Sequence, residues 1–308
     1  MITEIHLAPL QGFTDAIFRQ LFCKYYGGID RCYTPFIRLE HGNFRVRDIR
    51  DIESPQDNLS PQILPGSASE FNVLVDKIES LGYTEIDINM GCPFPPVMAH
   101  GRGCALLNIP EKAIEILREA RQRPAVRFSL KMRLGYADTT QWRQIIDAVN
   151  DTELTHVTVH ARYGKQQYKG ECDMEQFADF VAACRHKVIY NGDICTPADA
   201  EAVGNRFAIG GVMIGRGLLA DLNLPRKIKG LEPCNIDCFR QLHAELVEQL
   251  TQRMDNDRQV VDRMKPYWEY LFPTVDHKMR KRIKKSNKMS EYSAAVAEIL
   301  HQLKEEES

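Results

Sequence analysis

Through its first three quarters the chain alternates short apolar runs with longer segments whose apolar residues recur at helical spacing. The short runs predict strands over Glu4–Ala8, Arg31–Pro35, Pro61–Leu64, Glu85–Met90, Arg127–Arg133, His156–His160, Lys187–Asn191 and Gly211–Gly215. Between them the periodicity predicts amphipathic helices, among them Glu70–Leu81, Glu111–Arg121, Gln141–Val149 and Met174–Cys184. Strand followed by helix, repeated, implies parallel strands with right-handed crossovers. Up to Glu232, eight such units come to about 29 residues each. That is close to the length of a strand–helix step, and the total is close to the ~250 residues of a (β/α)8 TIM barrel. A doubly wound sheet is the rival. Pro9-Leu10-Gln11-Gly12 after the first run is not a Gly-x-Gly-x-x-Gly turn, which disfavours the dinucleotide-binding form of that rival.

The pattern changes at Leu231-Glu232-Pro233, which reads as a linker. Beyond it the spacing predicts helices over Asp237–Met254, Asp257–Tyr270, Thr274–Lys285 and Ser290–Glu306, and no good strand. Pro266 falls inside the second of these as a kink, and Pro273 marks a boundary. The expected organisation is an α/β barrel domain over 1–232 followed by a small α-helical bundle domain over 233–308.

With 44% hydrophobic and 27% charged residues among 308, the composition is that of an ordinary globular protein able to bury a sizeable core. No run approaches the ~18 apolar residues of a membrane helix. The first ten residues lack the basic-then-apolar pattern of a signal peptide, so a cytoplasmic location is expected. Nine scattered cysteines read as reduced thiols. Cys234 and Cys238 lack a second pair at zinc spacing, and no metal site is expected.

Forty Lys and Arg against 42 Asp and Glu leave a formal charge of −2, so attraction to nucleic acid must come from local clustering. One cluster stands out: Lys278, Arg280, Lys281, Arg282, Lys284, Lys285 and Lys288, beside Arg263, Lys265 and Trp268. Charge runs are usually solvated faces; in a chain of this net charge, the run is also the local electrostatic footprint expected of a nucleic-acid-binding surface.

In a TIM barrel the chemistry sits at the carboxyl ends of the strands. Those ends carry Gln62, then Asp87 and Asn89 before Gly91-Cys92-Pro93, Lys131 and Arg133, and His160 and Arg162. The last two strands end in Asn191-Gly192-Asp193 and Gly215-Arg216-Gly217. Glycine-rich turns after strands seven and eight form the usual barrel phosphate site, where Arg216 could add a bidentate contact. Lys131 at an inward position should reach an anion or an electron-rich ring. His160 either donates to a ligand or satisfies a buried carbonyl. Cys92, on a loop that runs on to Gly101-Arg102-Gly103-Cys104, could attack as a thiolate or donate a proton as an acid.

Five segments, in order and at barrel-strand spacing, resemble the tRNA-dihydrouridine synthases of bacterial type, and the resemblance covers nearly the whole chain. They are Ala8-Pro9-Leu10-Gln11-Gly12-Phe13-Thr14-Asp15, then Asp87-Ile88-Asn89-Met90-Gly91-Cys92-Pro93 with Gly101-Arg102-Gly103-Cys104-Ala105-Leu106-Leu107. Leu130-Lys131-Met132-Arg133-Leu134-Gly135, Val159-His160-Ala161-Arg162 and Asn191-Gly192-Asp193-Ile194 complete the set.

The resemblance implies an FMN-dependent enzyme, with NADPH or NADH as diffusible reductant, that reduces uridine in tRNA. It assigns Pro9, Leu10 and Gln11 to the flavin ring face, Gln62 and Lys131 to hydrogen bonds with that ring, and His160 to flavin contact. Asn191, Gly192, Asp193, Gly215 and Arg216 would hold the ribityl phosphate end. Asn89 would face the target uracil, and Cys92 would be the acid that protonates C5 while hydride arrives at C6. Arg162, Arg263 and Lys265, with Lys278, Arg280, Lys281, Arg282, Lys284 and Lys285, would contact substrate or RNA.

The chain departs from the family pattern at four places: Pro95 stands where a lysine is frequent, Pro35 replaces a glutamate, Tyr163 a threonine and Tyr190 a small residue. Two rivals remain open, a flavin barrel acting on a free pyrimidine and an RNA-binding relative without catalysis. No protein partner is evident, and a monomer is expected.

Overall fold

Along Glu85–Met90 the residues at 86, 88 and 90 are apolar, those at 87 and 89 are Asp and Asn, and all five are buried. A strand buried on both faces, apolar outward and polar inward, suits a barrel wall covered by helices. Arg127–Gly135 repeats the pattern, with Phe128, Leu130, Met132 and Leu134 on one face and Ser129, Lys131 and Arg133 on the other.

The computed structural model describes residues 2–53 and 57–307, and the chain forms two compact units that interleave in sequence. The first comprises Met1–Asp15, Asp30–Ile194 and Ala198–Ile214. Its strands are Glu4–Leu7, Arg31–Tyr33, Leu59–Ser60 continuing as Gln62–Ile63, Glu85–Met90, Arg127–Gly135, Leu154–Tyr163, Val188–Asn191 and Gly211–Ile214. Each pairs in parallel with its successor, and the first pairs with the last from Glu4↔Gly211 to Leu7↔Ile214. The fold is the TIM barrel that the alternation predicts.

The third strand starts two residues earlier than its pattern suggests and breaks at Pro61. Its first half pairs with the second strand and its second half with the fourth. Proline has no N–H for a ladder and suits such a break, and its carbonyl still accepts from the Asp87 amide at 2.9 Å.

Deep inside this wall the Tyr33 hydroxyl bridges His6 Nδ1 at 2.9 Å and His156 Nε2 at 2.7 Å, and all three residues are buried. Burial pushes the His156 imidazole down to about 2, so it is neutral throughout the physiological range. The connection after the second strand carries a small ribbon, Leu39–Glu40 against Asn43–Phe44, whose turn residues His41 and Gly42 both have positive φ (50° and 79°). That is the primed turn a two-residue hairpin favours.

Two predicted helices differ in detail. Gln141–Val149 is a 3-10 turn, Gln141–Gln144, followed by the helix Ile146–Asp151. Asp257–Tyr270 is α-helical only to Met264; Lys265–Glu269, around Pro266, is a 3-10 turn, as expected where the ring and its missing N–H interrupt the helical ladder.

The second unit comprises Ala16–Ile29, Cys195–Pro197 and Gly215–Ser308. Helix Ala16–Tyr25 packs here on Ile236–Arg253, with Phe18 stacked on Tyr267 at 5.5 Å and both Lys24 and Tyr25 bonded to Glu245. Asn235, Asn256 and Asp276 cap Ile236–Arg253, Asp257–Met264 and His277–Lys285 with their side chains. The last helix is Met289–Glu307. A buried knot joins these helices: the Tyr292 hydroxyl accepts from Trp268 Nε1 at 2.9 Å and lies 2.6 Å from His243 Nε2. Among the described residues no helix is long and apolar enough to cross a membrane.

Candidate active site

The carboxyl ends of the third to fifth strands carry a continuous chain of polar contacts. Asp87, fully buried, accepts from Ser129 Oγ at 2.5 Å and from Gln62 Nε2 at 2.6 Å. Gln62 Oε1 in turn accepts from Asn89 Nδ2 at 2.7 Å. Asn89 Oδ1 then accepts from the backbone amides of Gly91 at 3.0 Å and Cys92 at 2.9 Å. One amide side chain thus fixes the start of the Cys92 loop, leaving its second N–H for another acceptor. Burial pushes the Asp87 carboxyl up to about 6, while Ser129, Gln62 and Lys131 pull it down, so it is largely ionised at neutral pH. Gln62 has no exposed surface, so in this conformation it acts through Asp87 and Asn89.

The Cys92 loop is held at its other side as well. The Cys104 amide donates to the Cys92 carbonyl at 3.2 Å. Gly103 makes this approach possible: its φ is +62°, and a Cβ there would lie 2.6 Å from the Cys92 oxygen. Arg102 anchors the segment by a two-pronged ion pair with Glu70. Cys92 is half-buried, and burial raises the thiol above its usual range. The group is therefore a protonated thiol at neutral pH, able to donate a proton.

Lys131 is the register partner of Asn89 on the neighbouring strand. It is half-buried, and its ammonium has one protein acceptor among the described residues, Asn191 Oδ1 at 3.0 Å. Asn191 is itself oriented by donating to the Met213 carbonyl at 2.9 Å. Burial, with Arg133 next, pulls the Lys131 ammonium down to about 8 against the opposing pull of Asp87 and Cys92. Two of its three N–H donors remain for a ligand.

The sixth and seventh strands meet through Arg162, which pairs with Asp193, donates to the Gly170 carbonyl at 2.6 Å and lies 3.2 Å from His160 Nε2. Because a guanidinium only donates, His160 Nε2 accepts and the ring proton is assigned to Nδ1. Arg162 Nε is buried with no partner among the described residues. Gly192, at φ +149°, has room for nothing larger, since a Cβ would lie 2.7 Å from Cys172 Sγ. Tyr190 lies 4.9 Å from the Phe177 ring and its hydroxyl 3.6 Å from Met174 Sδ, close to Gly192, where an added Cβ would meet it at 3.0 Å.

The turn after the first strand carries Pro9, Leu10 and Gln11. It is closed by the Leu10 amide on Thr14 Oγ1 at 2.8 Å, and Gln11 Nε2 donates to the Phe36 carbonyl at 3.1 Å. Gly215 and Arg216 belong to the second unit, where Gly215 opens the short helix Arg216–Ala220 and Arg216 is exposed.

The sequence places Arg133 at a strand end without giving it a role, and Tyr168 escapes the sequence reading altogether. Buried Arg133 donates to the Gly91 carbonyl at 3.1 Å, to Tyr163 at 3.0 Å and to Gln167 at 2.6 Å, and lies 5.3 Å from the Tyr168 ring centre. It staples the Cys92 loop to the loop after the sixth strand. Alternation with Ser129 and Lys131 marks Arg133 as inward-facing; nothing in the polar stretch around Tyr168 marks that ring.

In the second unit, Lys278, Lys281, Lys284 and Lys285 are exposed on His277–Lys285, a helix whose sole buried residue is Ile283. Arg282 pairs with Glu298, and Arg280 donates to the Leu271 and Phe272 carbonyls at 3.1 and 3.0 Å. Lys265 bonds Asp262 at 2.9 Å, and Arg263 lies 5.4 Å from the Tyr267 ring centre.

A parallel eight-stranded barrel with a protonated thiol, an amide and an ammonium at adjacent strand ends defines a barrel enzyme with an acid–base mouth. A family model described as Dihydrouridine synthase (Dus) matches residues 6–307. The chain belongs to this family and is an enzyme of an oxidoreductase class. It is 30% identical over 243 residues to a tRNA-dihydrouridine(16) synthase of Neisseria meningitidis serogroup B, covering 75% of this chain and 72% of that protein. It is 31% identical over 221 residues to a probable tRNA-dihydrouridine synthase of Helicobacter pylori, covering 70% and 66%. Among solved structures, histamine dehydrogenase from Rhizobium sp. 4-9 superposes with a TM-score of 0.56 at 12% identity, covering 74% of this chain and 45% of that one, a likeness of fold alone.

Proposed function

We propose that this enzyme reduces a uridine of tRNA to 5,6-dihydrouridine, with bound FMN and with NADPH or NADH as the diffusible reductant. The observation that carries the reading is Asn89, which holds the Cys92 loop and lies in register with Lys131. The residues present fit a flavin: among the described residues Lys131 keeps two donors free and Arg162 Nε is a buried donor without an acceptor. Lys131 and His160 would hold the ring and Asn191-Gly192-Asp193 the ribityl phosphate end, with Pro9, Leu10 and Gln11 along the ring face. Bound there, the reduced flavin supplies hydride for C6 of the uracil.

The chain's own residues supply the rest. Asn89 offers its remaining amide N–H to a carbonyl of the extruded base, and extrusion itself costs a few kcal/mol that contacts must offset. The Cys92 thiol, kept neutral by burial, releases its proton to C5. Arg133 holds the two loops that enclose the base, and the exposed lysines of His277–Lys285 neutralise RNA phosphates. The direct test incubates the flavin-loaded protein with NADPH and tRNA lacking dihydrouridine, then maps dihydrouridine by mass. Product on tRNA and none on free uracil is expected. Unmodified tRNA, or equal turnover of the free base, would sink the proposal.

A further inference from the structure

Phe94 is a large apolar ring left in water beside the proposed acid. It keeps 58% of its surface exposed, while Gly91 and Pro93 on either side of Cys92 are buried. Single exposed apolar residues are common and by themselves mean little. Three features give this one direction. It stands two residues after Cys92, so ring and thiol share one short segment. Its carbonyl accepts from Val97 at 2.9 Å and Met98 at 3.0 Å, which starts the helix Pro95–Met98. Prolines at 93, 95 and 96 fix φ around it, so little chain entropy remains to be lost when something docks. Among the groups that act on the adjacent thiol are three cations, Lys131, Arg133 and Arg38, which suits a polyanionic partner.

We propose, resting on the tRNA uridine reduction inferred above, that Phe94 is a positioning residue whose ring stacks on a base flanking the extruded uridine. Pulling one nucleotide from its stack bares the faces of its neighbours. An aromatic side chain covers such a face whatever the base, because every base presents a π-surface. The stacked neighbour then sets how far the target uracil reaches toward Cys92.

The test uses the flavin-loaded full chain carrying Phe94→Trp, Phe94→Leu or Phe94→Ala. Both native tryptophans, Trp142 and Trp268, are buried, so Phe94→Trp introduces an exposed indole that reports on this site. Saturating tRNA should quench its fluorescence, and turnover should stay near wild type. Phe94→Leu and Phe94→Ala should raise KM for tRNA roughly 10–100-fold, the range for loss of one base–aromatic stack, with kcat changed far less. NADPH-driven flavin reduction should be the same in all variants.

A wild-type KM in Phe94→Leu, or an indole that tRNA leaves unquenched, would overturn the proposal. Loss of flavin reduction in Phe94→Leu would overturn it too, by revealing a packing role. Wild-type enzyme that forms no dihydrouridine would fault the reaction instead, and quenching in Phe94→Trp would still report whether this ring meets nucleic acid.

Discussion

The barrel mouth and the helix His277–Lys285 both carry charge, and they hold it in opposite ways. In the mouth each polar group is fixed by another: Ser129 and Gln62 on Asp87, Asn89 on Gln62 and the Cys92 amide, Lys131 on Asn191. On the helix the lysines reach into water around one buried residue, Ile283. Fixed groups in a low-dielectric interior act strongly on one atom of a ligand, whereas solvated charges act weakly on many phosphates. Substitutions in the mouth should therefore have large effects that ignore salt. Those on the helix should be small, cumulative and salt-dependent.

The sharpest way to break the contrast is Cys92→Ala. Removing a positioned general acid typically costs 10²–10⁴-fold in rate. Cys92→Ala should lose dihydrouridine formation by about that factor in single-turnover assays. FMN content and tRNA affinity should persist, since Asn89 and Cys104 hold the loop through its backbone. Full turnover by this variant would remove the thiol from its role.

Lys131 supplies the next largest effect, and its sign follows from its environment. Burial brings the ammonium down to about 8, so the cation predominates at pH 7 and is lost as pH rises through that value. A ring that accepts from this cation binds most tightly below pH 8. Above it, affinity should fall by up to about tenfold per pH unit, because binding then requires proton uptake. Lys131→Met should weaken FMN roughly 10–100-fold at pH 7, as expected for a lost charge-assisted hydrogen bond, and flatten the dependence between pH 7 and 10. Fluorescence titrations of the flavin-free protein measure both. A pH profile that survives the substitution would point to another group.

Legibility divides along the same line. Strand positions such as Asp87, Asn89, Lys131 and Arg133 could be read because alternation alone decides which side chains enter a barrel. The charge of His277–Lys285 was equally plain. What could not be read is where backbone carbonyls act as partners. Arg133 spends three donors on carbonyls of Gly91, Tyr163 and Gln167, and Arg280 two on Leu271 and Phe272. Any residue type offers a carbonyl, so no pattern announces the contact. The 3-10 turn at Gln141–Gln144 was hidden for a related reason: Trp142, Ile145 and Val149 are all buried, at spacing that fits a helix whichever hydrogen bonds form.

The basic helix gives the smallest effect per residue and the cleanest discrimination. Lys281, Lys284 and Lys285 are exposed, and no pairing among the described residues holds any of them in the fold, so replacing all three with glutamine should leave thermal stability and FMN binding unchanged. If each neutralises one phosphate, the slope of log affinity for tRNA against log salt should become shallower by up to about 3. Affinity at low salt should fall several-fold, and the difference from wild type should shrink as salt rises. Arg280→Gln is the contrasting control: its guanidinium is bound to two carbonyls, so its loss should lower stability by about 1 kcal/mol or more and change the salt slope little. Parallel salt titrations of the triple variant and wild type would refute the division between mouth and helix, because a solvated face that never meets RNA has no slope to lose.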